Sequence, residues 1–207
     1  MHITLIGMSS IGKSHWAQWL ADNRGFKLVD CDGLIEQKLK AEGVHLDEAG
    51  TLGLSHWMGQ PYEPQYTKSS QLYIELEKAV MRDVANMLQN TPENSDLVID
   101  TTGSVLYIGE KIIEQLRKYS KIVYFEASST HVEELFTRDL ADPKPLIWDD
   151  VFEQRPSEKP EDARRRCYPK LLESRAQRYA QMAHVTIPYK QHKKLEANLD
   201  ILLGQKP

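Results

Sequence analysis

The chain has 207 residues, 41% of them hydrophobic, and a formal net charge of −4. That length supports one substantial core, and the acidic balance argues against a general nucleic-acid binder. Its two cysteines, Cys31 and Cys167, have no metal-ligand spacing and form no disulfide framework, and no stretch approaches the ~20 apolar residues of a membrane span.

Ile3, Leu5 and Ile6 form a short apolar run that reads as a strand, and no cationic leader precedes it. Next comes Gly7-Met8-Ser9-Ser10-Ile11-Gly12-Lys13-Ser14, which fits G-x-x-x-x-G-K-[ST]. Trp16, Trp19 and Leu20 then recur at helical spacing up to Gly25. Residues 27–30 read as a second strand, and a helix follows from Asp32 through Leu39 to about Gly43. The stretch 44–66, with Trp57, Pro61 and Pro64, reads as a small helical or irregular insertion. Leu72, Leu76, Ala79, Val80, Val84, Met87 and Leu88 mark a helix over 67–89. A strand at 97–100, a small-residue loop at 101–104 and a helix carrying Ile108, Ile112, Ile113 and Leu116 come next. Residues 122–125 read as a strand and 131–140 as a helix. Residues 141–162 hold Pro143, Pro145, Pro156 and Pro160 and read as a mobile surface excursion. A helix over 161–183, a strand at 185–187 and a closing helix over 193–203 complete the pattern.

Five short strands separated by helices predict an α/β fold: a five-stranded parallel sheet with helices on both faces, carried by a single domain over residues 1–207. Ligands in such sheets bind beyond the carboxyl ends of the strands, where the Gly7–Ser14 loop, Asp30 and Asp100 should meet. The loop chemistry names the ligand. Two glycines let successive backbone N–H groups face a phosphate chain, Lys13 brings positive charge to the β- and γ-phosphates, and the Ser14 hydroxyl is placed for Mg²⁺. The helix N-terminus adds partial positive charge. ATP and Mg²⁺ are therefore the expected cofactors, with Gly7, Ser9, Ser10, Ile11, Gly12, Lys13, Ser14 and His15 around the nucleotide.

With these pieces in order, the chain resembles the shikimate kinase family, in the nucleoside-monophosphate-kinase-like branch of P-loop kinases. The resemblance spans roughly residues 2–188. It rests on the P-loop, Asp30-Cys31-Asp32 before Leu34-Ile35-Glu36, Leu76-Glu77, and residues 98–104 (Val-Ile-Asp-Thr-Thr-Gly-Ser). Arg138, Lys144-Pro145-Leu146-Ile147 and Arg175 with Tyr179 and Ala183 complete it. It implies that Ser14 and Asp30 serve Mg²⁺, that Asp32 orients or deprotonates the acceptor hydroxyl, and that Arg138 stacks on adenine; at Asp100 shikimate kinases lack a carboxylate, while nucleotide kinases of the branch often have a Mg²⁺-organising Asp there, which makes Asp100 a further metal candidate. It also implies a three-layer P-loop kinase fold with a substrate-binding helical insertion over about residues 32–66 and a lid over about 141–162, that Lys144 carries lid charge onto the phosphates, and that Gly103, Ser104 and Arg175 contact the acceptor. On the residues alone, Asp30 would equally end a strand, Asp32 cap a helix, and Lys144 sit in a solvated loop.

The departures fall on the acceptor side. The family's Gly-Gly-Gly is Thr102-Gly103-Ser104 here, its lid Arg is Lys144, and one of its two carboxylate-clamping arginines is missing from residues 64–68, where Lys68 is the nearest cation. The implied activity is transfer of the γ-phosphoryl group of ATP to a hydroxyl of a small anionic metabolite, with Lys13, Asp32 and Lys144 catalytic. The alternatives are a nucleotide or another polyol acid as acceptor, or a nucleotide-binding regulatory protein without transfer chemistry. Arg164-Arg165-Arg166 reads as a solvated helix face or as a cation that swings over ATP; His131 and His184 read as structural; Trp57 and Trp148 are candidates to line a pocket. A cytoplasmic protein, monomeric or weakly self-associating, with a small-molecule substrate and neither nucleic-acid nor membrane partners, is the expectation.

Overall fold

The computed structural model describes residues 1–92, 94–128 and 131–192, so the predicted closing helix at 193–203 lies outside the described residues. The elements follow the predicted order: β1 (His2–Ile6), α1 (Lys13–Arg24), β2 (Lys27–Asp30), α2 (Cys31–Ala41), α3 (Gly50–Met58), α4 (Tyr66–Asn90), β3 (Leu97–Asp100), a single 3₁₀ turn (Val105–Tyr107), α5 (Glu110–Tyr119), β4 (Lys121–Phe125), α6 (Val132–Ala141), α7 (Pro160–Met182) and β5 (Val185–Ile187). The 44–66 insertion is helical over α3, and Ile108 falls in the turn before α5 rather than inside a helix. No helix among the described residues is long and apolar enough to cross a membrane.

All five strands run parallel in the order β2-β3-β1-β4-β5. Ile3, Leu5 and Ile6 of β1, all of β3 and residues 122–125 of β4 are buried on consecutive positions, so both faces of the sheet centre are covered; this is why those segments read as unbroken apolar runs. The register decides where the chemistry sits. Asp30 pairs with Asp100 at the ends of β2 and β3, Leu5 pairs with Asp100, and the Gly7–Ser14 loop leaves β1 one residue later.

Residues 141–162 are exposed or half-buried as the predicted surface excursion would be, except at 145–148. Residues 145–148 are buried, Trp148 to 1% exposure, with its ring against Phe152 and Tyr168. The Tyr66 hydroxyl, at the start of α4, donates to the Leu146 carbonyl at 3.0 Å and accepts from the Trp148 N–H at 2.8 Å. Arg175 donates to the Ile147 carbonyl from the other side. Prolines forbid a helix here, but backbone groups satisfied by Tyr66 and Arg175 allow the irregular segment to be buried. Trp148 is thus part of the core.

The arginine run resolves into three separate carboxylate pairs. Arg165 meets Glu133, Arg166 meets Glu158, and Arg164 reaches Asp139 on α6 at 3.1 Å. The last pair is buried, with side-chain exposures of 8% and 5%. Burial pushes the Asp139 carboxyl upward while Arg164 and the Lys144 N–H oppose it. Arg164→Ala would leave Asp139 as an uncompensated buried charge, with an expected loss of about 3–5 kcal/mol in unfolding free energy. Combining it with Asp139→Leu should recover most of that loss, and urea unfolding of the three variants checks both statements.

Candidate active site

The Gly7–Ser14 loop has the backbone its function would need. Gly7 has φ +142°, and a Cβ there would lie 2.7 Å from the Phe125 carbonyl oxygen, so only glycine lets β1 turn beside β4. Ser10, at φ 60°, also takes a left-handed conformation, which curls the loop ahead of α1. Lys13 is buried and folds back over its own loop, its Nζ donating to the carbonyls of Gly7 and Met8 at 3.0 Å each. Burial lowers the pKa of its ammonium, while Asp100 and Asp32 act in the opposite sense. Ser14 and His15, in the first turn of α1, are exposed.

Three carboxylates face this loop, each in a different setting. Asp30 both ends β2 and caps α2, its side chain accepting from the Gly33 N–H at 3.2 Å. That leaves Asp32 in the first turn of α2 rather than at the cap. Its Oδ1 accepts from the Tyr73 hydroxyl at 3.0 Å. Burial raises the Asp32 pKa to about 6 against the opposing pull of Lys13 and the Tyr73 bond, with Asp100 and Asp30 adding to the rise. Asp100 is buried, and its carboxyl is pushed up by burial while Lys13 and the Ser14 hydroxyl hold it down; its Oδ1 has no hydrogen-bond partner.

The loop after β3 packs directly on the P-loop. A Cβ on Gly103 would come within 2.6 Å of the Ser9 Oγ, so the glycine is what allows that approach. On either side, the hydroxyls of Thr102 and Ser104 donate to the two oxygens of Glu77, which is fully buried in α4. Burial raises the Glu77 pKa to about 7, and the Thr102 and Ser104 bonds pull it down. Arg175, 1% exposed, donates to the Gly103 carbonyl at 2.8 Å and to the Ile147 carbonyl, and its guanidinium lies 5.5 Å from the Tyr107 ring centroid. Tyr179 donates to the same Gly103 carbonyl.

A cavity of about 400 Å³ opens at this end of the sheet. It brings together Ser9, Ser10, Lys13, Ser14, Asp30, Asp32, Asp100, Gly103 and Lys144 from the residues singled out in the sequence. Lys144 enters it with Nζ 2.8 Å from the Thr51 Oγ1 and 2.8 Å from Asp142. Ile11, Gly12, His15 and Arg138 lie instead around an adjoining hollow of about 590 Å³, with Trp16, Tyr189 and His192. Arg138 there donates to the Ser10 carbonyl and pairs with Glu134. Gly7, Ser104 and Arg175 are buried behind these surfaces, and Lys68 sits on the exposed side of α4. His184 accepts from the Ile122 N–H. Tyr73, Glu36 and Thr51 were not singled out as site residues. Tyr73 and Glu77 lie four residues apart, and a carboxylate and a phenol beside the apolar stripe of α4 were the available signal.

No protein-family model matches the sequence, and no curated protein is similar to it at a significant level. Solved structures do resemble it over its full length. Shikimate kinase from Acinetobacter baumannii, in complex with shikimate, is 21% identical with a TM-score of 0.63, covering 99% of this chain and 94% of that one. The shikimate kinase of Bacteroides thetaiotaomicron is 19% identical, TM-score 0.63, over 99% and 98%. That of Aquifex aeolicus is 16% identical, TM-score 0.56, over 99% and 97%. The chain has the α/β P-loop kinase fold of these enzymes.

Proposed function

We propose, from a fold shared with shikimate kinases and a cavity that gathers its charged groups at the carboxyl edge of the sheet, that this protein transfers the γ-phosphoryl group of ATP to a hydroxyl of a small molecule. The observation that carries the reading is the convergence of Lys13, Ser14, Asp32 and Asp100 on one cavity, contributed by α1, α2 and β3. The reaction class needs positioning and charge neutralisation more than covalent chemistry, and these residues supply both.

In this reading the loop N–H groups and Lys13 hold the phosphate chain, and Lys144 adds charge from the opposite wall. The acceptor oxygen attacks the γ-phosphorus, the bond from that phosphorus to the bridging oxygen of ADP breaks, and the hydroxyl proton passes to Asp32. A carboxylate whose pKa stands at about 6 is largely ionised at neutral pH and still basic enough to take a proton. Mg²⁺ would be held by the Ser14 hydroxyl with the carboxylates of Asp100 and Asp30, and would neutralise phosphate charge. The buried, unpartnered Asp100 Oδ1 fits that assignment. Mg²⁺ takes one or two carboxylates and completes its shell with phosphate and water. The hollow around His15, Trp16 and Arg138 is the expected seat of the base.

The deciding experiment is ADP release from MgATP in a coupled assay, with and without hydroxyl compounds at millimolar concentration. Stimulated release with phosphate recovered on the acceptor supports the kinase. ATP binding by calorimetry with no stimulation by any acceptor would instead support a nucleotide-binding regulatory protein.

A further inference from the structure

Glu77 is a buried carboxylate that the transfer chemistry leaves without a role. It stands midway along α4 with no exposed surface and is not among the groups lining the cavity. A carboxylate is costly to bury, so the groups that satisfy it define what it holds. Its Oε1 accepts from the Thr102 hydroxyl and its Oε2 from the Ser104 hydroxyl, the latter at 2.7 Å. Thr102 Oγ1 also accepts from the Ser104 N–H at 3.1 Å, which ties the two ends of this short loop together. Arg175 on α7 donates to the carbonyl between them, that of Gly103, at 2.8 Å. The loop is thus fastened to a buried anion on one helix and a buried cation on another. Burial is the largest influence on the Glu77 carboxyl, pushing it up to about 7, and Arg175 acts in the opposite sense. Glycines at 102 and 104 would offer Glu77 no hydroxyl, so the departure from Gly-Gly-Gly is what supplies its partners.

What this loop touches is the P-loop. A Cβ on Gly103 would meet the Ser9 Oγ at 2.6 Å and the Ser9 N at 3.0 Å, so the Gly103 backbone lies directly against that of Ser9. Ser9 and Ser10 line the cavity, and Ser10 at φ 60° curls the loop ahead of α1. Successive N–H groups converge on a phosphate only while the backbone keeps such a curl. Resting on the nucleotide-binding half of the reading above, we propose that Glu77 is a positioning residue for the phosphate chain: through the Thr102 and Ser104 hydroxyls it fixes Gly103 against Ser9, and so fixes the backbone that receives the phosphates. The support is stiff. Both carboxylate oxygens are bonded, and they are carried by a helix of 25 residues rather than by a loop.

The test is calorimetric titration of MgATP into the parent chain and into Glu77→Leu, Glu77→Gln and Ser104→Ala, read both as Kd and as sites per chain. Leucine fills a similar space and bonds neither hydroxyl, whereas glutamine can still bond both. Glu77→Leu should weaken Kd by about tenfold or more, the measure of one hydrogen bond to a charged group, and Glu77→Gln by no more than about threefold. A role in stability alone would lower the number of sites per chain and leave Kd unchanged, so the two roles separate. Glu77→Leu with the parental Kd, whatever its number of sites, overturns the proposal, as does equal weakening by leucine and glutamine. Where Glu77→Leu gives no folded protein, Ser104→Ala decides. It removes one of the two bonds and should weaken Kd by about threefold or more, and a parental Kd there overturns the proposal. A parent that transfers phosphate while its variants bind MgATP as it does leaves the kinase reading intact. A parent that binds no MgATP overturns both.

Discussion

Lys13→Met is expected to lower kcat/KM for phosphoryl transfer by about 10²–10³-fold, the usual cost of removing one preorganised charge from a transition state. The side chain already points where the phosphates would lie, held by the Gly7 and Met8 carbonyls at 3.0 Å each. Its burial makes the ammonium costly to keep in the free protein, and the compensation comes from Asp100 and Asp32. Methionine keeps the length of the stem and removes the charge, so both aspartates lose their opposing partner and their pKa values rise further. The variant should therefore combine a slow reaction with a pH profile displaced upward. Lys13→Arg should not rescue it, because the larger planar guanidinium does not fit the buried space that the compact Lys13 ammonium fills beside the Gly7 and Met8 carbonyls. Turnover within about threefold of the parent would mean that this loop does not hold the transferring phosphate.

The sheet was legible in the sequence because parallel strands buried on both faces leave continuous apolar runs, as in residues 97–99 and 122–125. The P-loop was legible because its glycines answer to local backbone demands. The motif itself lies within eight consecutive residues, Gly7 to Ser14, although the Phe125 carbonyl that Gly7 abuts comes from β4. What sequence could not disclose was how donors are spent. Arg175 matched a substrate-binding position by type and order. Whether its guanidinium meets a ligand or the carbonyls of Gly103 and Ile147 depends on a segment nearly thirty residues earlier folding underneath it. That segment, 145–148, read as surface because its prolines and charges were visible and its anchor, the Tyr66 hydroxyl some eighty residues away, was not. Glu77 shows the same limit. In sequence it is a polar residue on an amphipathic helix, and only the fold brings it against Thr102 and Ser104. Local patterns gave the Gly7–Ser14 loop; long-range hydrogen bonding sets the walls around Arg175 and Glu77.

Asp32→Asn separates catalysis from stability, and the two should move in opposite directions. With the proton acceptor gone, kcat/KM should fall by about 10²–10⁴-fold. In the parent protein kcat/KM reports the free enzyme, so it should fall about tenfold per pH unit below the Asp32 pKa of about 6 and level off above it. The stability sign follows from the same shift. The folded-state pKa is raised from 3.8 to about 6, so the folded state binds more proton than the unfolded chain between those values. Stability from this group is therefore fully present below about pH 4, is lost as pH rises toward 6, and stays at its lowest at neutral pH. Asparagine carries no charge to bury and its oxygen can still accept from Tyr73, so the variant should melt a few degrees higher at pH 8, at roughly 2–4 °C per kcal/mol for a chain of this size. Tyr73→Phe is the companion. It deletes the hydrogen bond that favours the ionised carboxylate, which moves the midpoint of the profile above that of the parent while the plateau at high pH stays within about threefold. A variant at Asp32 that turns over like the parent, or a profile flat between pH 5 and 7, would remove Asp32 from the chemistry. A slow but thermally stabilised Asp32→Asn would show instead that the fold keeps a buried, unfavourable charge at this position because the reaction uses it.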